Sequence, residues 1–186
     1  MKRFDESVSS YRQVIILKPD FAQGYNSLSL ILKELGQLDE AIINFKKAIA
    51  LKPDYSNAYF NLGFTLREIG KKKEALENFQ KAVALQPNDV RAINVLGVAF
   101  VELGQQEKAV ENFKKAIFLE PDYADAYNNL GNALKELGRL EESIDSFKKT
   151  IELKPNYAEG YNNFGRVLML KNNFKEAFEL MEWRFQ

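Results

Sequence analysis

Apolar residues recur at helical spacing along the chain, and the stretch from Ala124 to Leu137 shows the pattern most clearly. Apolar side chains there fall three and four residues apart, which predicts an amphipathic helix. These positions are Ala126, Tyr127, Leu130, Ala133, Leu134 and Leu137. Gly138 is predicted to end the helix, because glycine readily adopts the left-handed conformation of a helix C-terminus.

A second helix is predicted from near Leu140 to about Leu153, with Ile144 and Phe147 on its apolar face. Pro155 ends it, because a proline disfavours helical geometry at the preceding residue. Asn156 followed by Glu159, three residues later, is typical of a capping box at the start of the next helix, and Asp20 followed by Gln23 repeats that spacing.

This pair of helices is one copy of a repeat. The five prolines lie 34 residues apart, at Pro19, Pro53, Pro87, Pro121 and Pro155. A fixed period of this size indicates stacked structural repeats, each of which buries its apolar face against its neighbours. The expected organisation is a single repeat domain over 1–186, in which residues 1–21 are the second helix of a truncated repeat. Full repeats are expected at 22–55, 56–89, 90–123 and 124–157, with a partial one at 158–186.

Eight positions per repeat carry a resemblance to the tetratricopeptide repeat family. In the repeat at 124–157 they are Tyr127, Leu130, Gly131, Leu134, Ser143, Phe147, Thr150 and Pro155. The other repeats keep most of these positions, with departures at Ser29 in place of the glycine and at Ile93 in place of the aromatic. The resemblance implies an all-α fold, a right-handed superhelical solenoid of antiparallel helix pairs. It also implies a module that binds proteins or peptides.

The small and aromatic positions have a physical interpretation of their own. Glycines are expected where the first helix of a repeat crosses the second closely; they are Gly63, Gly97, Gly131 and Gly165. Phenylalanines of the second helices are expected to fill the gap between successive repeats; they are Phe45, Phe79, Phe113 and Phe147. These aromatics are therefore predicted to form the core and not a cofactor site.

Both ends of the chain depart from the repeat pattern. The chain opens on a second helix without its first, and it closes on a second helix without a polar capping helix, although solenoids need capped ends. These ends predict a fragment of a longer protein; the alternative is self-association through the uncapped terminal helices. The segment Met181-Glu182-Trp183-Arg184-Phe185 resembles the end of the repeat region in bacterial glycosyltransferases. The first helices likewise resemble repeats of O-linked N-acetylglucosamine transferase.

In this family the first helices line a concave groove, and helical geometry selects the positions that face it. The predicted peptide- or partner-binding residues are Asn26, Leu30, Phe60, Asn61, Phe64, Asn94, Val98, Asn128, Asn129, Asn132, Lys135, Asn162, Asn163 and Arg166. A row of carboxamides, which both donate and accept hydrogen bonds, suits the backbone of an extended peptide. The alternative is that asparagine merely keeps an exposed helix face polar.

Apolar residues at groove positions predict an exposed patch centred on Phe60 and Phe64, which also includes Leu30, Val95, Val98 and Val101. Shielding of this patch by the curl of the superhelix is the alternative. A clamp for a terminal carboxylate, known in this family, is rejected because Asn128 stands where it needs lysine. The paired lysines, such as Lys114-Lys115, are expected to be solvated surface.

The amino-acid composition argues against several classes of function. Cysteine and histidine are absent, which removes thiolate nucleophiles and Cys/His metal sites, and the commonest general base. Lys plus Arg equals Asp plus Glu at 26 each, without a basic stripe, which argues against nucleic acid. No stretch is apolar enough to insert into a membrane. No enzyme activity and no cofactor are predicted, and a cytoplasmic location is expected.

The sequence therefore predicts a non-catalytic protein–protein interaction module that holds an extended peptide or a partner helix in its groove. The alternative is the acceptor-recognition arm of a larger bacterial glycosyltransferase with its catalytic domain elsewhere. An artificial consensus array is disfavoured by irregular positions such as Ser29, Ile93 and Asn172, because designed repeats are nearly identical.

Overall fold

Helices account for all the regular structure in the part of the chain that is described. The computed structural model describes residues 2–182, except for the side chains of residues 2–5 and 181. Most of the segment that resembles bacterial glycosyltransferases, residues 181–185, therefore lies outside the described residues. Within them the helices alternate between the first and second helix of each repeat, here termed A-type and B-type.

The helix bounds follow the 34-residue period. The A-type helices are α2 (Ala22–Glu34), α4 (Ser56–Glu68), α6 (Val90–Glu102), α8 (Ala124–Glu136) and α10 (Ala158–Leu170). The B-type helices are α1 (Lys2–Leu17), α3 (Leu38–Leu51), α5 (Lys72–Leu85), α7 (Gln106–Leu119), α9 (Leu140–Leu153) and α11 (Phe174–Glu182). The predicted all-α fold of repeated helix pairs is confirmed, and α9 has the predicted bounds.

The chain divides into two compact units, Met1–Ala92 and Ile93–Gln186, with the boundary inside α6. In the first unit, each of α1 to α4 packs against the helix that follows it. In the second unit, each of α7 to α10 does the same. Packing thus alternates between A-type and B-type helices, because the short connections turn each helix back along its predecessor.

The aromatic positions form the predicted core. Phe45, Phe79, Phe113 and Phe147 have no exposed surface. A Cβ atom added to Gly97 would lie 2.5 Å from Phe113 Cε1, so the glycine is needed for the close approach of the ring. Phe147 also shares a buried cluster with Phe164 and Leu168 of the next repeat, so it fills the gap between repeats as expected.

Turn geometry follows the same period. Gly138 follows the end of α8 with φ of +72°, which confirms its predicted left-handed conformation. Asn172 occupies the equivalent position after α10 with φ of 60°. Asparagine tolerates this conformation better than most residues, since its short polar side chain bonds locally.

The predicted capping boxes are wrong. α2 and α10 begin one residue later than their spacing suggested, with Phe21 and Tyr157 at the N-cap and no side-chain cap. Asp20 and Asn156 therefore lie in the preceding turns. The side-chain cap that the structure does show was not predicted: Asp89 Oδ1 accepts a hydrogen bond from the Ala92 backbone N–H at 3.0 Å. Asp89 stands where the other linkers place an aromatic residue.

Ser143 provides a test of the small positions of the B-type helices. Its buried hydroxyl donates a hydrogen bond of 2.7 Å to the Gly131 carbonyl, whereas alanine holds this position in α3, α5 and α7. Ser143→Ala is expected to lower the free energy of unfolding by about 0.5–1.5 kcal/mol, the usual net contribution of one hydrogen bond. Urea unfolding measures it. No loss, or a gain, would mean that this bond is not stabilising.

Candidate functional site

In the second unit, asparagines on successive A-type helices pair with one another. Asn129 Nδ2 donates to Asn94 Oδ1 at 3.1 Å, which joins α8 to α6. Asn163 Nδ2 donates to Asn128 Oδ1 at 3.1 Å, which joins α10 to α8. In both pairs the donor lies 35 residues after the acceptor, which is one residue more than the repeat length. The same two neighbouring positions of the repeat therefore form the bond each time.

The first unit contains the same pair. Asn61 Nδ2 on α4 donates to Asn26 Oδ1 on α2 at 3.2 Å. The three acceptors, Asn26, Asn94 and Asn128, are buried, with exposed fractions of 6%, 7% and 3%. The three donors, Asn61, Asn129 and Asn163, are half-buried. We term the three buried acceptors the inner asparagines and the three half-buried donors the outer asparagines.

This burial changes the role of the inner asparagines. Asn26, Asn94 and Asn128 were predicted to face a ligand, but their side chains lie beneath the surface and hold neighbouring repeats together. A buried carboxamide needs hydrogen-bond partners of its own, and the next repeat supplies them. The outer members and the half-buried Asn132 and Asn162 have more access to solvent.

Glu159 and Tyr157 form a polar cluster with Asn128, the inner asparagine of the pair between α8 and α10. Glu159 accepts hydrogen bonds from the Tyr157 hydroxyl at 3.1 Å and from Asn128 Nδ2 at 3.4 Å, so both polar atoms of Asn128 are bonded. Burial, followed by the charge and hydrogen bond of Glu159 and the charge of Asp125, raises the pKa of Tyr157 to about 12. The hydroxyl therefore stays protonated near neutral pH and remains a donor. Sequence reasoning assigned Glu159 to a capping box and missed this role.

Three aromatic rings meet on the A-helix face of the first unit. Phe60 and Phe64 lie edge to face with centroids 4.9 Å apart, and both contact the buried Phe79, at 5.9 and 5.2 Å. Phe60 and Phe64 are half-buried, because one side of each ring packs on Phe79. The Arg67 guanidinium lies 4.8 Å from the Phe64 centroid, a cation–π distance.

The other predicted residues are distributed over both units. Leu30 is 38% exposed in the first unit, and Val98 is half-buried in the second. Lys135 is 3.1 Å from Glu136, which offsets its charge. Arg166 is exposed and forms no ion pair within the described residues. Among the predicted residues, the structure thus pairs Asn129 with Asn94, Asn163 with Asn128, and Asn61 with Asn26. It also places Phe60 against Phe64.

These alternating A-type and B-type helices define a helical repeat protein, and comparisons with known proteins agree. A model described as TPR repeat matches residues 30–70 and 97–138, and a model described as tetratricopeptide repeat matches residues 56–89 and 124–157. Together they cover more than half of the chain. The protein belongs to the tetratricopeptide repeat family. No curated protein sequence matches it.

Solved structures show the same fold. A crystal structure of MamA protein is 28% identical, with a TM-score of 0.81, and the match covers 87% of this chain and 88% of that one. YrrB, described as a TPR protein with an unusual peptide-binding site, is 24% identical with a TM-score of 0.80, over 93% and 89% of the two chains. MamA from Desulfovibrio magneticus RS-1 is 23% identical with a TM-score of 0.82, over 88% and 93%. Among the described residues no helix has the length and apolar character to cross a bilayer.

Proposed function

We propose that this protein is a protein-interaction module that binds an extended peptide segment on its A-helix faces, without a catalytic role. The family supports the general function, since tetratricopeptide repeats serve protein interaction and the similar YrrB is described as having a peptide-binding site. The finer proposal, that a peptide lies along the A-helix faces, rests on the side chains found there.

The outer asparagines are the observation that carries this proposal. In the described residues, Asn129 and Asn163 each make one side-chain hydrogen bond, through Nδ2 to the preceding repeat. A carboxamide has two N–H donors and an oxygen that accepts, so each retains an acceptor and a second donor. A peptide backbone presents both kinds of group at regular intervals. The inner asparagines orient these carboxamides, because each holds its neighbour through a partly buried hydrogen bond.

The aromatic cluster of the first unit supplies a different kind of contact. Phe60 and Phe64 are held in place by Phe79, so their remaining exposed surface is rigid and apolar. Rigid aromatic side chains suit interfaces because little conformational entropy is lost when they are covered. We propose that they bind an apolar side chain of the partner. Self-association is the alternative interaction proposed for this chain. It predicts an apparent molecular mass in solution that rises with protein concentration.

The proposal predicts the effect of two double variants on a peptide selected from a random library with the wild-type protein. Phe60→Ala with Phe64→Ala, and separately Asn129→Ala with Asn163→Ala, test the apolar and polar contacts. At least one is expected to weaken binding about tenfold or more, because a few interface residues carry most of the energy. Fluorescence anisotropy measures it.

The matched control replaces asparagines outside the A-type helices, Asn88→Ala with Asn156→Ala, both of which are exposed in the turns before α6 and α10. It should bind the peptide as the wild type does. Circular dichroism establishes that all variants keep their helicity. Wild-type affinity in both test variants contradicts binding on the A-helix faces. The inner asparagines are left intact, since replacing a buried one would disturb the stacking of repeats.

A further inference from the structure

The hydrogen bond between Asn163 and Asn128 has a direction that matters for a ligand. Either carboxamide could be the donor, because each carries an amino group that donates and an oxygen that accepts. In the structure Asn163 Nδ2 donates to Asn128 Oδ1 at 3.1 Å. This direction leaves the oxygen and the second N–H of Asn163 for a peptide. In the opposite direction, Asn163 would lose its oxygen to the bond.

A carboxylate on the other side of Asn128 selects this direction. Asn128 Nδ2 donates to Glu159 Oε1 at 3.4 Å. If the Asn128 carboxamide rotated by half a turn, its oxygen would face the carboxylate, and neither oxygen can donate. Asn128 is only 3% exposed, so an amino group without an acceptor would be costly there. Glu159 therefore keeps Asn128 Oδ1 turned toward Asn163.

Glu159 is itself held in place. The Tyr157 hydroxyl donates to Glu159 Oε2 at 3.1 Å, so each oxygen of the carboxylate has its own donor. Tyr157 is the N-cap of α10 and Glu159 lies in its first turn. The charged groups next to Tyr157 bond to each other, since Lys154 Nζ is 2.7 Å from Asp125 Oδ1. They leave Glu159 to Tyr157 and Asn128.

The other two asparagine pairs lack this arrangement. The residue that is equivalent to Glu159 is Asp125 in α8 and Asn57 in α4. Asp125 bonds to Lys154, and in the described part of the chain neither Asp125 nor Asn57 bonds to the inner asparagine of its pair. Control by a carboxylate is thus particular to the pair between α8 and α10.

We propose that Glu159 is a positioning residue for peptide binding, which acts through Asn128 to fix the carboxamide of Asn163. The fixed oxygen of Asn163 accepts a hydrogen bond from a peptide N–H, and its second N–H donates to a peptide carbonyl. This inference rests on the proposed function, because the peptide is the partner proposed for the A-helix faces. Glu159 contributes without touching the peptide.

The first measurement needs no peptide. Hydrogen exchange of the Asn163 side-chain amide is followed by NMR in the 15N-labelled 186-residue protein, and Asn163→Ala identifies its signals. Glu159→Ala is expected to accelerate this exchange about threefold or more, because the rotation of Asn128 then breaks the bond to Asn163. Backbone amide signals should stay in place, which separates this effect from a general loss of structure. Unchanged exchange overturns the proposal.

The second measurement is a double-mutant cycle on the peptide selected with the wild-type protein. Glu159→Ala should weaken binding about threefold or more in the wild-type background. In the Asn163→Ala background it should have no further effect, because it acts only through Asn163. Equal losses in both backgrounds would mean that Glu159 contacts the peptide directly, which also overturns the proposal.

The matched control, Glu111→Ala, removes an exposed glutamate of α7, outside the A-type helices. It should equal the wild type in both measurements. Weaker binding by Asn163→Ala but not by Glu159→Ala contradicts the positioning role and leaves the proposed function intact. Wild-type affinity of Asn163→Ala contradicts the proposed peptide contact of Asn163, and the exchange rates still decide whether Glu159 fixes its carboxamide.

Discussion

Phe113→Ala is expected to lower the free energy of unfolding by about 3–5 kcal/mol, the range for removing a buried aromatic side chain. Phe113 has no exposed surface, and its ring lies against the backbone of Gly97 on the neighbouring A-type helix. The cavity left by the ring cannot be filled by small movements, because Gly97 has no side chain to enter it. Urea unfolding followed by circular dichroism measures the loss.

The same helix provides a matched control. Phe118 lies five residues further along α7 and is 84% exposed, so Phe118→Ala should change the stability by no more than about 0.5 kcal/mol. The pair removes the same atoms from one helix and differs only in burial. Similar losses in both variants would contradict the assignment of the phenylalanine series to the core.

Gly63→Ala is expected to destabilise the protein although alanine is the better helix former. The gain in helix propensity is about 1 kcal/mol. Against it, the new Cβ would lie 2.6 Å from Phe79 Cε1, which forces the ring to move. Phe60 and Phe64 pack against that ring and restrict its movement, so the overpacking cost should reach the upper part of the usual range of about 1–3 kcal/mol. The net change is measured by urea unfolding.

Two comparisons separate overpacking from other effects. Gly131→Ala brings a Cβ to 2.8 Å from Phe147 Cε1, a slightly longer approach, and should cost less than Gly63→Ala. The double variant Gly63→Ala with Phe79→Leu should lose less stability than the sum of the single variants, because the smaller side chain makes room. Additive losses, or a net gain for Gly63→Ala, would show that the ring moves without cost.

Local features were predictable where one residue type acts through its own backbone or through helical spacing. Gly138 was identified as the end of α8, and the bounds of α9 were obtained from apolar spacing and Pro155. The capping boxes failed because the N-cap of a helix depends on where the preceding turn ends. In α10 that turn places Tyr157 at the N-cap and directs Glu159 to Asn128 instead of to the helix start.

By itself, the sequence determined the 34-residue period, the alternation of two helix types and the buried series of phenylalanines opposite small residues. These follow from side-chain size and helical periodicity, which act within one repeat and recur in the next. Only the tertiary structure decided which asparagines are accessible. Asn128 and Asn129 are adjacent and chemically identical, yet one is buried and the other half-buried. The packing of the neighbouring repeats separates them, since it brings Asn163 to Asn128 and Asn94 to Asn129.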